Sequence, residues 1–484
     1  MSKVKIKEET MTDIADAIRA KLNTEQKYKP SEMAEAVLSI GARTSIGGAH
    51  IDEYFSSNSS VSPNTFIEFE NSYQNSEIEC VSDNFFDEAV LNDSNFVVVY
   101  NHMSNLKLSL CEIVGNEVSV ISTVNLASMD GGLASVVAIS EEKVCVVYYK
   151  DEETPLLYGI ICNISVAEET ITKGEEISLG SIGNLFLPKS LCYLGGGKFF
   201  VTALDSSNLV VKGCIAEISN MSITVIGTPL ITTSGEPLCP PVIERTSISS
   251  DSIEAVMVFS SSNGVWAKIL TFDSAGNLSQ GTNVIVNVAP SSMVGANLDV
   301  LYLEEKDSKR YFAVLYDEIS YVPPTEGYGT IYGRICTIEG STLTVGNQTQ
   351  LSEENTYFPL VQSFKSFFLW KGEYKYELQI GYIEMSNTIR LSRAGIKDTT
   401  IEFIEDILLD EDSSSNQFGQ IGASRLNKKE GFLLYAAFPS DLKMIDIKCK
   451  VAESTNKIDG LTRTKCTSST KGEVFVLLDN QTGL

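Results

Sequence analysis

The chain has 484 residues, 43% hydrophobic and 9% aromatic, enough to bury a large core and too apolar for a disordered chain. Lys and Arg number 37 against 63 Asp and Glu, a formal net charge of −26 that repels nucleic acid and anionic membrane surfaces. Two histidines leave little room for a His-based metal centre or a Ser-His-Asp site. The charged start, Met1–Glu9, has no apolar core of a secretion signal, and no stretch of eighteen apolar residues is present to span a bilayer. Synthesis in a cytosol, with no membrane insertion and no nucleic-acid partner, is the expectation.

Residues 1–45 read as a helical hairpin. Thr10 and Asp13 have the spacing of a capping box ahead of an apolar stripe at Ile14, Ala17, Ile18 and Leu22. Pro30 suits a first helical position, and Met33, Val37, Leu38 and Ile40 make a second stripe that Gly41 can stop. Two helices of about twelve residues cannot bury both stripes alone. Ile14, Ile18, Leu22, Met33, Val37 and Leu38 are therefore candidate docking residues. Residues 46–64, with Ser56–Ser60 at their centre, read as a Gly/Ser/Asn-rich linker.

Residues 65–457 carry no sustained helical period and repeat a strand pattern instead. A strong apolar strand recurs at Phe96–Tyr100, Val144–Tyr148, Phe199–Ala203, Ala255–Phe259, Tyr311–Leu315, Phe367–Trp370 and Phe432–Tyr435. After each comes a polar turn and an alternating strand ending at Ile113, Ile164, Ile218, Phe272, Ile338, Met385 or Val451. Two residues before those ends stand Cys111, Cys162, Ala216, Leu270, Cys336, Ile383 and Cys449, a small or apolar residue facing a neighbouring sheet. With a weaker strand before each unit and a further one after, this gives seven units of four strands in about 56 residues each. The expected fold is mostly β: a seven-bladed β-propeller of four antiparallel strands per blade, preceded by the small N-terminal helical hairpin. The WD signature of WD40 blades is absent. Thr65–Glu70 is a candidate strand for the last blade, and residues 458–484, including Glu473–Leu478, are candidate closing strands.

Most of the ten cysteines lie in apolar runs and none forms a Cys-x-x-Cys pair, so they read as small buried hydrophobes. Leu194–Lys198 reads as a hairpin turn rather than a nucleotide loop, and Ser262–Trp266 as an Asn-Gly turn. Asp410–Asn416 lacks the spacing of a calcium loop and reads as a solvated acidic stretch. No cofactor, metal or catalytic residue is assigned, since 63 acidic residues make any single carboxylate pair uninformative. The long hairpin of the fifth unit offers Tyr321, Pro323, Glu326 and Tyr328. A turn of the sixth, read as lying on the same rim, offers Trp370, Lys371, Tyr374 and Tyr376. Long loops carrying flat aromatic faces on a stiff scaffold are candidate receptor-binding elements.

Thr12–Leu22 and Tyr28–Ile40 closely resemble a short helical module found near the start of tail and baseplate proteins of bacteriophages infecting Gram-positive bacteria; the resemblance covers about a tenth of the chain. Ile458–Val476 is more loosely similar to the closing strands of such proteins. The layout resembles a receptor-binding, tail-fibre-type protein of a contractile-tailed phage or a phage-tail-like, diffocin-type bacteriocin. That resemblance implies an N-terminus docked on tail baseplate proteins, a location at the tail tip, a homotrimer, and a head that meets a surface-layer protein or cell-wall glycan. The expected function is non-catalytic host recognition. The alternative is a tail-associated glycan hydrolase or lyase working on one face of the propeller, and a third reading is a purely structural tail component.

Overall fold

The computed structural model describes the backbone of residues 65–79 and residues 86–451, apart from short connecting stretches of which 321–327, 353–363 and 412–417 are the longest. The expected hairpin and linker (1–64) and closing segment (458–484) lie outside the described residues. The chain clusters into two units, Phe69–Lys448 and a second made of Met1–Glu68 with Cys449–Leu484.

The first unit is a mostly-β propeller, with strands and no helix among the described residues. Its strands fall into seven antiparallel sheets. A strand β1 (Thr65–Glu79) comes first in the chain but belongs to the last sheet. The first sheet runs in order through β2 (Phe86–Val90), β3 (Asn95–His102), β4 (Asn105–Val114) and β5 (Glu117–Ser128). In the second, β6 (Ala134–Ser140) pairs with β7 (Lys143–Tyr149) and that with β8 (Leu157–Ser165), which carries both β9 (Thr170–Lys173) and β10 (Ile177–Gly180). The third repeats this with β11 (Leu191–Gly195), β12 (Lys198–Asp205) and β13 (Val210–Ser219), then β14 (Ser222–Gly227) and β15 (Leu230–Ile231). The fourth has β16 (Val242–Ile248), β17 (Ser252–Ser261) and β18 (Gly264–Asp273), then β19 (Leu278–Gln280) and β20 (Val284–Val288). The fifth has β21 (Val294–Lys306), β22 (Lys309–Ser320) and β23 (Tyr328–Glu339), then β24 (Thr342–Val345) and β25 (Thr349–Gln350). The sixth is β26 (Phe364–Gly372), β27 (Lys375–Glu384), β28 (Thr388–Lys397) and β29 (Thr400–Glu411). The seventh joins both ends of the unit: β30 (Phe418–Asn427), β31 (Glu430–Ala437) and β32 (Asp441–Val451), with β1 as its fourth strand beside β32.

The first strands of the sheets touch one another in the cyclic order β2, β6, β11, β16, β21, β26, β30 and back to β2. Gln420 clasps the return: its Oε1 accepts from the Phe86 amide at 3.1 Å and its Nε2 donates to the Phe86 carbonyl at 2.8 Å.

The second strands are apolar on both sides because each lies between two sheets. In β3, Val97 and Val99 pack toward the second sheet, whereas Phe96, Val98 and Tyr100 pack toward the seventh. In β7, Val144, Val146 and Tyr148 enter the first of those cores, and Cys145, Val147 and Tyr149 the next one round. The same division splits Phe199 from Phe200, Ala255 from Val256, and Phe312 from Ala313. An unbroken apolar run is what a strand with two buried faces needs, and each such Val, Leu or Phe contributes roughly 1.5–3 kcal/mol by burial.

The third strands carry the expected small position. Cys111, Cys162, Ala216, Leu270 and Cys336 are fully buried, each against the preceding sheet, or the seventh in the case of Cys111. In the sixth sheet the occupant is Ala394 on β28, not Ile383. The sixth unit lies one strand out of step with the expected register: Phe367–Trp370 lies in β26, a first strand, and the strand ending near Met385 is β27, a second strand. The error has a physical cause, since Phe367, Phe368 and Leu369 are buried as deeply as a second strand.

A second departure is the fourth strand, which is split in four of the seven sheets. At three of the breaks a glycine makes a close approach to the third strand. Gly174, Gly281 and Gly346 donate to the carbonyls of Ile161, Ile269 and Ile335 at 2.8, 2.8 and 2.9 Å. A Cβ there would stand 2.9, 3.2 and 2.6 Å from the same oxygens.

Candidate functional site

Apolar residues dominate the faces between sheets, and several charged residues of the first strands gather where those strands meet. There they form two clusters whose ion pairs each skip an intervening sheet. In one, Lys365 of β26 donates to Asp87 Oδ1 at 3.1 Å and to Glu88 Oε1 at 2.7 Å, both on β2. The three side chains are at most 5% exposed. Asp87 Oδ2 accepts from Ser135 Oγ at 2.8 Å and the Val136 amide at 2.9 Å. Glu88 Oε1 also accepts from the Ala423 amide and Ser424 Oγ, each at 3.0 Å. In the other cluster, Lys189 ahead of β11 pairs with Asp299 Oδ1 on β21. Asp299 Oδ2 takes the Ser366 amide at 2.9 Å and its hydroxyl at 2.5 Å.

Burial raises the Glu88 carboxyl above its ordinary range against the pull of Lys365. Burial works on the Lys365 ammonium in the opposite sense, but Glu88 and Asp87 outweigh it and the proton is held more tightly. Gly422 makes room for this pair, since a Cβ there would stand 2.3 Å from Glu88 Oε2.

Against these clusters lies a pocket of about 340 Å³, lined by residues of β2, β6, β16, β26 and β30 and by Lys189, Leu191, Cys192 and Tyr193. Apolar wall is supplied by Val136, Ala138, Leu191 and Ile243, and polar wall by Tyr193, Glu244 and Arg245. Glu244 is half-buried. Burial pushes its carboxyl up to about 7; Asp299 adds to the rise, while Lys189, Arg245 and the Tyr302 backbone oppose it. Arg245 donates to the Tyr193 carbonyl at 3.1 Å. A carboxyl titrating near neutrality on a pocket wall can exchange a proton, or donate to an anion, at physiological pH.

Of the receptor-binding residues expected from sequence, Tyr376 alone has a described side chain, and it does not line this pocket. Tyr321, Pro323, Glu326 and Tyr374 lie outside the described residues. Tyr328 opens β23, and Trp370 and Lys371 end β26. Tyr376 is buried, donates to Glu304 Oε2 at 2.6 Å and meets the Phe368 ring edge-on at 5.3 Å, so it is an internal contact. The two loops also do not share a rim. The turn at 373–374 joins a first strand to a second, whereas 321–327 joins a second to a third. An antiparallel chain reverses at each turn, which puts them at opposite ends of their sheets. The docking residues Ile14, Ile18, Leu22, Met33, Val37 and Leu38 lie outside the described residues.

Sequence reasoning missed Asp87, Glu88, Lys189, Glu244, Arg245, Asp299 and Lys365. For all but Lys189, which precedes β11, the signal was a charge inside a first strand, as in Phe364-Lys-Ser-Phe-Phe368.

No family model and no curated protein matches the chain. Among solved structures it is similar to a Lactobacillus plantarum protein (13% identity, 67% of this chain and 85% of that one, TM-score 0.44). It is also similar to the α-L-arabinofuranosidase of Fusarium graminearum (8%, 78% and 98%, 0.42) and the Aleuria aurantia lectin (10%, 70% and 99%, 0.39). At these identities and TM-scores they carry no argument about function.

Proposed function

We propose that the chain is a non-catalytic receptor-binding protein of a contractile phage tail or phage-tail-like bacteriocin, recognising a surface-layer protein or cell-wall polymer. On this reading the seven sheets are seven blades of one ring, supported by the cyclic contacts of their first strands. Residues 1–45 form a helical hairpin that docks the chain, as a homotrimer, on the baseplate; the resemblance of Thr12–Leu22 and Tyr28–Ile40 supports this. The observation that carries the non-catalytic part is the state of the axial acids. Asp87, Glu88 and Asp299 each hold a lysine together with serine or backbone donors, so they brace the ring and are not poised as an acid–nucleophile pair. The test is the full chain carrying Ile14→Asp and Ile18→Asp: it should still bind target cells and fail to join the particle. Normal assembly of that variant contradicts the docking role.

Glu244 favours a second reading, a surface-glycan hydrolase or lyase, because a carboxyl held near 7 suits a general acid. Incubation with cell-wall or capsular material separates the two, since the enzyme releases soluble fragments and the adhesin does not.

A further inference from the structure

We infer that the axial pocket takes the anionic group of a hydroxylated monosaccharide unit, held by the Arg245 guanidinium, with the Glu244 carboxyl on the wall of the same pocket. The inference rests on the reading of the chain as a binder of bacterial surface polymers, and adds the ligand class and the residues that take it.

Three observations carry it. The first is the commitment of the pocket's cations. Lys365 is spent on Asp87 and Glu88, and Lys189 on Asp299. Among the described residues, the Arg245 guanidinium has one hydrogen bond, to a neutral carbonyl, and no ion pair. Arg245 lines the pocket, and a planar fork of donors matches a carboxylate or phosphate. The second is the shape and lining of the pocket. About 340 Å³ with Val136, Ala138, Leu191 and Ile243 on its walls suits one ring whose C–H faces pack on apolar surface.

The third is Glu244 itself. The charged and titratable groups around it are Lys189 and Cys192 from the β11 segment, Arg245 on its own strand, Asp299 of β21 and Arg425 of β30. Lys189 and Asp299 cancel each other. Lys365 is outnumbered by Asp87 and Glu88 in the same pocket, so with Glu244 protonated Arg245 only brings the wall to neutrality, and the protonated carboxyl adds an O–H donor. Ionised Glu244 faces an incoming anion with like charge, so anion binding is coupled to its protonation.

The test is calorimetric titration of the full chain with glucuronate, glucose 1-phosphate and glucose, at pH 6 and pH 8. At least one of the two anions binds at pH 6, at least tenfold tighter than glucose, and which one binds separates a uronate-bearing polymer from a sugar-phosphate one. Its affinity falls about tenfold by pH 8, as Glu244 ionises. Arg245→Gln loses the anion. Arg245→Lys, which keeps the charge without the fork, weakens it at least tenfold and guards against a folding artefact. Glu244→Gln binds about tenfold tighter than the wild type at pH 8. Equal binding of glucose, no binding of either anion, or anion binding untouched by both Arg245 variants overturns the inference. Cell binding is measured on the same samples. Protein that binds cells but no anion refutes the pocket assignment alone, and protein that binds no cells refutes the underlying reading.

Discussion

Lys365 Nζ lies 2.7 Å from Glu88 Oε1, joining the sixth sheet to the first across 277 residues of chain. Both groups are out of water, so the pair is strong against loss of one partner and weak against loss of both. Lys365→Met should cost about 3–5 kcal/mol by urea unfolding at neutral pH, because it leaves Asp87 and Glu88 buried without their cation. Adding Glu88→Gln should recover part of that loss. A single variant within about 1 kcal/mol of the wild type would show that the cluster is not dry.

Gly422 is the counterpart of that pair. A methyl there meets Glu88 Oε2 at 2.3 Å and Phe86 Cε2 at 2.8 Å, one a buried carboxylate and the other a core ring. Gly422→Ala is expected to destabilise by about 1–3 kcal/mol, read as a lower urea midpoint at unchanged slope. In the Glu88→Ala background its cost should shrink, since the atom it strikes is gone.

Glu244 gives the stability a defined pH dependence. Its carboxyl is raised from 4.5 to about 7 in the folded chain, so between those values the folded state holds a proton that the unfolded state releases. Its contribution is full below pH 4.5, falls as pH rises through about 7, and is constant above. Glu244→Gln should therefore gain on the wild type across that window, by about 1–3 kcal/mol, and hold the gain at higher pH. Parallel urea curves at pH 5, 6, 7 and 8 measure it, and a constant offset across all four contradicts the assignment.

Seven of the ten cysteines are buried free thiols: Cys111, Cys145, Cys162, Cys192, Cys214, Cys239 and Cys336. Burial pushes Cys162, Cys192, Cys214, Cys239 and Cys336 up to about 12 and raises Cys111 and Cys145 as well, so none carries a thiolate at neutral pH. Thiol titration of native protein should find no more than three fast-reacting groups, against all ten in denaturant. Rapid native reaction of a fourth contradicts the buried assignment.

What was legible in the sequence follows from which residues carry a repeated physical constraint. Second strands are buried on both faces, so Phe96–Tyr100 and Val144–Tyr148 announce themselves as apolar runs. The third-strand position needs a small or apolar residue at every interface, hence the recurrence through Cys111, Cys162 and Cys336. The same rule misled at Phe367–Trp370, where a first strand is equally apolar. The axial residues were illegible for the opposite reason: Lys189, Glu244 and Lys365 occur once each, Lys189 in the turn ahead of β11 and the other two on different strands. Their meaning appears only when the ring brings Lys365 to Glu88 and Lys189 to Asp299. The split fourth strands had a signal in Gly174, Gly281 and Gly346, but one glycine does not reveal that a carbonyl lies 2.6–3.2 Å from its missing Cβ.

Binding without cleavage is the central claim, and cosedimentation with purified Gram-positive cell walls tests it most directly. Full-length protein should pellet with the walls of its target in a saturable manner while soluble sugar in the supernatant stays at the level of the protein-free control. Steady release of wall fragments by the wild type, abolished by Glu244→Gln, would contradict it and establish the axial carboxyl as a catalyst.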